Sequence, residues 1–181
     1  MRDLSEQPLF TETIFEGESL TLKKDTVRLP DGKRAAREYV VRPHGVIILP
    51  LFDDDRVLLT WQYRYPIGKH LLEVPAGKCD SGEPPEAAAR RELAEETGYA
   101  ADRWRALTTV HLAAAYATEA ATLFLAQGLR AVPRPKEAGE FTEVRILPVE
   151  ALFGQLDRDE LADAKTALAL WWLRSHPGGA V

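Results

Sequence analysis

Residues 77–99 read GKCDSGEPPEAAARRELAEETGY. Pro84-Pro85 marks a helix start, because the first helical residues have no use for their N–H groups. Gly98 is suited to ending the helix. The spacing therefore predicts a helix over 85–97. On it Glu92, Glu95 and Glu96 stand at i, i+3 and i+4, and at about 100° per residue they share one face. Three like charges repel one another. They also fall in the last turns, where the helix dipole disfavours anions. Local stability argues against this pattern. A divalent cation would neutralise it, and an all-oxygen ligand set suits Mg²⁺ or Mn²⁺. The plainer alternative is a solvated acidic face paired with Arg90 and Arg91.

Upstream, Leu71–Val74 reads as a short strand running into a glycine-containing loop over 76–82. The stretch HGVIILPLF, residues 44–52, is almost continuously apolar, as expected for a strand buried on both faces. Asp53-Asp54-Asp55 reads as a turn, and 56–63 as the returning strand. Further upstream, 10–15, 20–29 and 37–42 read as strands, with a turn signal at Pro30-Asp31-Gly32. Downstream, strands are expected over 104–112, 121–126 and 141–147. A last helix runs through LADAKTALALWWLRSH, capped by Asp157 or Asp159 and stopped by Pro177-Gly178-Gly179. Strands dominate, with one central and one terminal helix. This predicts the α/β class, a mixed sheet covered by helices. A boundary near residue 43 separates N-terminal strands, 1–43, from a main domain, 44–181.

The chain has 181 residues, enough to bury a core without staples, and 45% of them are apolar. Its net charge of −5 makes it a poor partner for a phosphate backbone, so nucleic-acid binding is not expected. Cys79 is the one cysteine, so no intrachain disulfide can form, which fits a reducing compartment. No apolar run approaches the roughly 18 residues of a membrane helix, and the N-terminus carries no signal core. The expectation is a cytoplasmic protein with no membrane partner.

Gly77, Glu83, Arg91, Glu92, Glu95, Glu96 and Gly98, with Leu93 and Tyr99 at the apolar positions, together resemble the Nudix box. Seven fixed identities at roughly 6–7% usage each occur by chance about 10⁻⁸ of the time. Tyr99 stands where an aliphatic residue is more usual. The resemblance implies a Nudix hydrolase with an α/β/α sandwich and a small N-terminal β-sheet extension. Such enzymes cleave nucleoside diphosphates linked to another group, using Mg²⁺ or Mn²⁺. It further implies two to three ions per site, held by Glu92, Glu95, Glu96 and the carbonyl of Ala76. Arg91 and Glu83 are implied to orient loop and helix, with a direct catalytic role for Arg91 as the alternative. The chemistry suits the groups. Metal ions cancel the charge of the diphosphate, position water and lower its pKa, and a carboxylate takes the proton.

The resemblance extends beyond the box. REYVVRPHGVIILPLFDDDRVLLTWQYRYP, LLEVPAGK and DAKTALALWWL are similar to segments of ADP-ribose pyrophosphatases. That branch implies substrate contacts from Arg37, Glu38, Arg64 and Glu119. A guanidinium suits a diphosphate because it donates in a fork and keeps its charge. A late acidic loop, PKEAGEFTEV, offers Glu137 and Glu140 as alternatives for the general base, beside the box glutamates. Glu143 is expected within the next strand. One departure stands out: Ala114, within HLAAAYATEA, occupies the place of a branch proline that would fix a turn. ADP-ribose is the implied substrate, converted to AMP and ribose 5-phosphate. GDP-mannose, FAD or a dinucleotide are alternatives. The branch also implies a homodimer that exchanges N-terminal strands. A reading of another class is a nucleotide-sugar sensor without hydrolysis, whose usual signature is a degraded box; the box here is intact. Trp61, Tyr63 and Tyr65 are equally suited to stacking on a base and to packing. His44 and His111 read as structural, Trp171 and Trp172 as packing or dimer surface.

Overall fold

The computed structural model describes residues 2–133 and 141–177. The chain divides into two compact units, 1–44 with 111–120, and 45–110 with 121–181.

In the first unit, β1 (Gln7–Glu16), β2 (Thr21–Arg28) and β3 (Arg34–Val41) form an antiparallel sheet in the order β1-β2-β3. Every residue of β1 is exposed. Residues 111–120 belong with these strands. Val40 brackets them, donating to the Tyr116 carbonyl at 2.8 Å and accepting from the Thr118 N–H at 3.0 Å. Ala113–Ala117 is a tight turn in which the Ala113 carbonyl accepts from Tyr116 at 3.0 Å and from Ala117 at 2.9 Å. Here the turn is closed by backbone bonds instead of by a proline ring at Ala114.

The second unit holds β4 (Gly45–Pro50), β5 (Arg56–Arg64), β6 (Lys69–Glu73), β7 (Ala76–Lys78), α1 (Pro85–Thr97), β8 (Tyr99–His111) and β9 (Ala120–Ala131) apart from the end residues His111 and Ala120, and β10 (Thr142–Pro148), α2 (Val149–Asp157) and α3 (Ala164–Ser175). One sheet runs β7-β4-β9-β8 and another β10-β5-β6. β4 pairs parallel with β9 and antiparallel with β7, so the first of these sheets is mixed. All six residues of β4 are buried, and its alternation sorts them into two cores. Val46 and Ile48 pack with Ala88, Ala89 and Leu93 of α1 and with Phe124 of β9. Ile47 and Leu49 face the other way, onto Leu59 of β5, Leu123 and Leu125 of β9, Leu152 of α2, and Leu170 and Leu173 of α3. The unit is an α/β/α arrangement, as expected.

Three local expectations are corrected. Ala76–Lys78, read as loop, pairs with β4 as a short edge strand, because Ile47 and Gly45 offer it a free edge. Val149–Asp157 is a helix that the sequence reading omitted. It directly follows a strand ending in Pro148, and Leu152 anchors it in the core. The terminal helix is capped by neither Asp157 nor Asp159. Asp163 is the cap, accepting from the Thr166 N–H at 2.9 Å, whereas Asp157 closes α2 and pairs with Arg174.

Candidate active site

β7 is an edge strand, and its outer edge faces α1. The N–H of Ala76 donates to Glu96 Oε2 and the N–H of Lys78 to Glu92 Oε1, both at 3.2 Å. The spacing matches because two strand residues span ~6.7 Å and four helical residues ~6 Å. In extended backbone a residue's N–H and C=O share an edge. The Ala76 carbonyl therefore belongs to the edge that meets the carboxylates. Gly77 lies between these contacts. A Cβ there would sit 1.9 Å from Glu92 Cδ, so the helix carboxylate occupies the space a side chain would need.

Arg91 organises the rest. Its Nε and Nη2 grip Glu83 at 3.1 and 2.9 Å, and Nη2 also reaches the Lys78 carbonyl at 2.8 Å. Its Nη1 reaches Glu92 at 3.0 Å and Glu95 at 2.9 Å. Glu83 in turn accepts from the Asp80 N–H at 2.9 Å. One guanidinium thus ties the loop to the helix. These contacts raise the Arg91 pKa, the Glu83 hydrogen bond foremost, and hold Glu83 below the usual carboxylate range. Burial pushes Glu92 up, and Arg91 only partly offsets it. Glu96 is 8% exposed. α1 ends at Gly98, whose φ of 71° is left-handed and whose N–H closes on the Ala94 carbonyl.

Among the described residues no three His, Cys, Asp or Glu side chains stand in a ready-made metal cluster. The donor set nevertheless fits a hard divalent cation. Glu92, Glu95, Glu96 and the Ala76 carbonyl are all-oxygen donors on facing edges of α1 and β7. Glu92 is also desolvated, with its charge only partly compensated by Arg91.

Arg64, at the end of β5, donates through Nε and Nη2 to Glu73 at 2.7 and 2.8 Å. The Glu96 charge is among those raising its pKa, behind the Glu73 hydrogen bond. Arg37, Glu38 and Glu119 lie in the first unit. Arg37 is forked onto Glu6, Glu38 pairs with Lys24 at 3.1 Å, and Glu119 lies 3.8 Å from Arg42. Glu137 and Glu140 lie outside the described residues. Glu143 is in β10, as expected, paired with Arg145. Burial pushes the Cys79 thiol up, away from a nucleophilic thiolate. Trp61 and Tyr63 pack on His70, with ring centroids 5.5 and 5.1 Å away.

The sequence reading missed Glu73, Asp163, Lys165 and Thr166. The available signal was an acid, Glu73, inside an otherwise apolar strand before Pro75. Such a residue is buried only with partners.

The chain matches the NUDIX domain family over residues 41–170. It belongs to the Nudix family. The Nudix box is the β7-loop-α1 segment just described. The chain is 36% identical to an ADP-ribose pyrophosphatase of Bacillus subtilis, over 96% of this chain and 95% of that one. It is 32% identical to a methanol dehydrogenase activator of Bacillus methanolicus, over 93% and 92%. A solved structure titled "Crystal structure of ADP compounds hydrolase" superposes with a TM-score of 0.85 at 24% identity, covering 98% of this chain and all of that one. That likeness supports the fold. No helix among the described residues is long and apolar enough to cross a membrane.

Proposed function

We propose that this Nudix protein hydrolyses the diphosphate bond of a nucleoside diphosphate sugar, with ADP-ribose and water giving AMP and ribose 5-phosphate. The observation that carries the reading is the intact box, with Glu92 and Glu96 bonded to the edge of β7 and Arg91 clamping the loop. Its similarity to an ADP-ribose pyrophosphatase along nearly the whole chain supports the choice of substrate.

Glu92, Glu95, Glu96 and the Ala76 carbonyl would hold two to three Mg²⁺ or Mn²⁺ ions. Bound there, they would supply charge neutralisation of the diphosphate and a water of lowered pKa. The chain's own residues do the remaining work. Arg91 fixes the carboxylates and the loop, and so acts as an orienting group. Arg64 and Arg37 donate to the diphosphate or nucleotide end, with Glu38 and Glu119 as further substrate contacts. The general base is Glu137, Glu140 or a box glutamate. Residues 1–43 serve dimerisation and 44–181 catalysis, in a cytoplasmic homodimer whose single cysteine, Cys79, fits a reducing compartment. Nucleic acid and membrane are not partners.

A product-resolved panel with Mg²⁺ tests this, offering ADP-ribose, FAD, NADH, GDP-mannose, diadenosine polyphosphates and ATP. Preferential release of AMP from ADP-ribose is expected. Replacing Glu96 by Gln should lower turnover by about 10²-fold or more with the melting curve retained, because a carboxylate charge at the reacting centre is lost. Turnover of another diphosphate alone would keep the chemistry and move the substrate. Tight nucleotide binding without turnover would instead favour a sensor. An unchanged rate in Glu96→Gln would sink the metal assignment.

A further inference from the structure

Glu73 ends β6 with a side chain only 1% exposed. A buried carboxylate must be paired. Arg64 supplies a fork on one side, at 2.7 and 2.8 Å. Lys165 supplies a second cation, its Nζ 3.1 Å from Glu73 Oε2 and 2.6 Å from Asp163 Oδ1. Asp163 is the cap of α3, and its Oδ2 accepts from both the N–H and the hydroxyl of Thr166 at 2.9 and 2.7 Å. The Thr166 hydroxyl oxygen accepts from the Val74 N–H at 2.9 Å. The first turn of α3 is therefore bonded to two successive residues, Glu73 and Val74, which lie just before β7 and the box glycine Gly77.

The charges decide what this arrangement does. Arg64 and Lys165 carry two positive charges, Glu73 and Asp163 two negative ones, so the cluster is neutral. Without Lys165 it carries one net negative charge. Arg64 is the cluster's outlet, with a side chain 38% exposed. It gives Nε and Nη2 to Glu73, and among the described residues its Nη1 meets no acceptor. A guanidinium held by one edge presents the other to an anion.

We propose that Lys165 is a positioning residue for anion recognition: by sharing Glu73 with Arg64 it neutralises that carboxylate and leaves the free edge of Arg64 to a diphosphate. The inference rests on Arg64 acting as a diphosphate ligand, as in the proposed function. It extends the substrate machinery to the first turn of α3, which acts through Glu73 and Arg64.

The test uses the full chain and inorganic pyrophosphate as the probe, binding being read by calorimetry. This readout does not depend on which nucleoside the enzyme prefers. Lys165→Met should weaken pyrophosphate binding about tenfold, since one partly screened unit charge is lost. Lys165→Arg should stay within about twofold of the native protein, because the charge is kept. In an Arg64→Met background, Lys165→Met should have little further effect, because its action passes through Arg64. With ADP-ribose the same variant should raise KM while leaving kcat nearly constant.

Asp163→Asn guards against misfolding as the cause. It removes a negative charge while an amide oxygen can still cap α3, so binding should hold or tighten. A purely structural role predicts losses in both Lys165→Met and Asp163→Asn. The proposal is overturned by native affinity in Lys165→Met, by equal losses in the Met and Arg variants, or by losses that multiply in the Arg64→Met background. Native affinity in Arg64→Met would overturn it by removing its target. If pyrophosphate binding depends on Arg64 and Lys165 as stated but ADP-ribose is left intact, the substrate assignment fails and this inference stands.

Discussion

At Gly77 the space for a side chain is already taken by Glu92. Gly77→Ala would place a methyl 1.9 Å from Glu92 Cδ, so the carboxylate must leave the β7 edge. The expected result is an activity loss of about tenfold or more, from misplaced ligands, with destabilisation of about 1–3 kcal/mol from overpacking. Steady-state rates and a urea titration would check both. Glu92 carries a second residue-scale consequence. Burial raises its pKa in the folded chain above the ordinary glutamate value. The folded state then gains from this group below the unfolded pKa and loses that gain as pH rises through the raised value. In chelator, Glu92→Gln should therefore melt higher than the native protein at neutral pH, and the difference should vanish below the ordinary carboxylate range. Adding Mg²⁺ at neutral pH should stabilise the native protein and have less effect on the variant. A pH-independent difference in melting would refute this account of Glu92.

Among the elements, α1 was readable in detail, and α3 was readable except for its start. Pro84-Pro85 and Gly98 are local signals, and the observed helix runs between them. The cap of α3 is different. Asp157, Asp159 and Asp163 are equivalent as isolated caps. What selects Asp163 is the set of partners it meets, Lys165 and the doubly bonded Thr166. Thr166 is fully buried, and its hydroxyl serves the Val74 N–H. Thr166→Val keeps the shape but orphans that buried donor, at a cost of about 1–3 kcal/mol. Chemical denaturation should show that loss. A variant as stable as the native protein would mean the Val74 N–H has found another acceptor. α2 does carry a helical period, Val149, Leu152, Phe153 and Leu156 at i, i+3, i+4 and i+7, all packed on one core, but it follows β10 directly with no local start signal other than Pro148.

On the scale of the whole molecule, β1 is the element without cover among the described residues. It is a ten-residue strand exposed throughout, with Phe10 at 65%, Phe15 at 57% and Ile14 at 48% exposure. An edge strand that long and apolar is an invitation to pairing or cover. A second copy of the chain supplies that cover in the proposed homodimer. Light scattering at micromolar protein should then give about twice the 20.2 kDa chain mass, following the preference of soluble oligomers for two-fold symmetry. Removing residues 1–16 should yield monomers. A monomeric mass for the full chain would refute the assembly.

The box chemistry, the helix that carries it and the buried strand β4 were set by the sequence itself. Their signals are local: fixed spacings of charge, prolines and glycine at helix ends, an unbroken apolar run. The pairing of Ala76–Lys78 as an edge strand, the choice of Asp163 as cap and the sharing of Glu73 between Arg64 and Lys165 were decided by tertiary structure. The last joins positions 92 residues apart along the chain. A buried carboxylate is stable only where cations converge on it, and no local pattern states which distant residues those are.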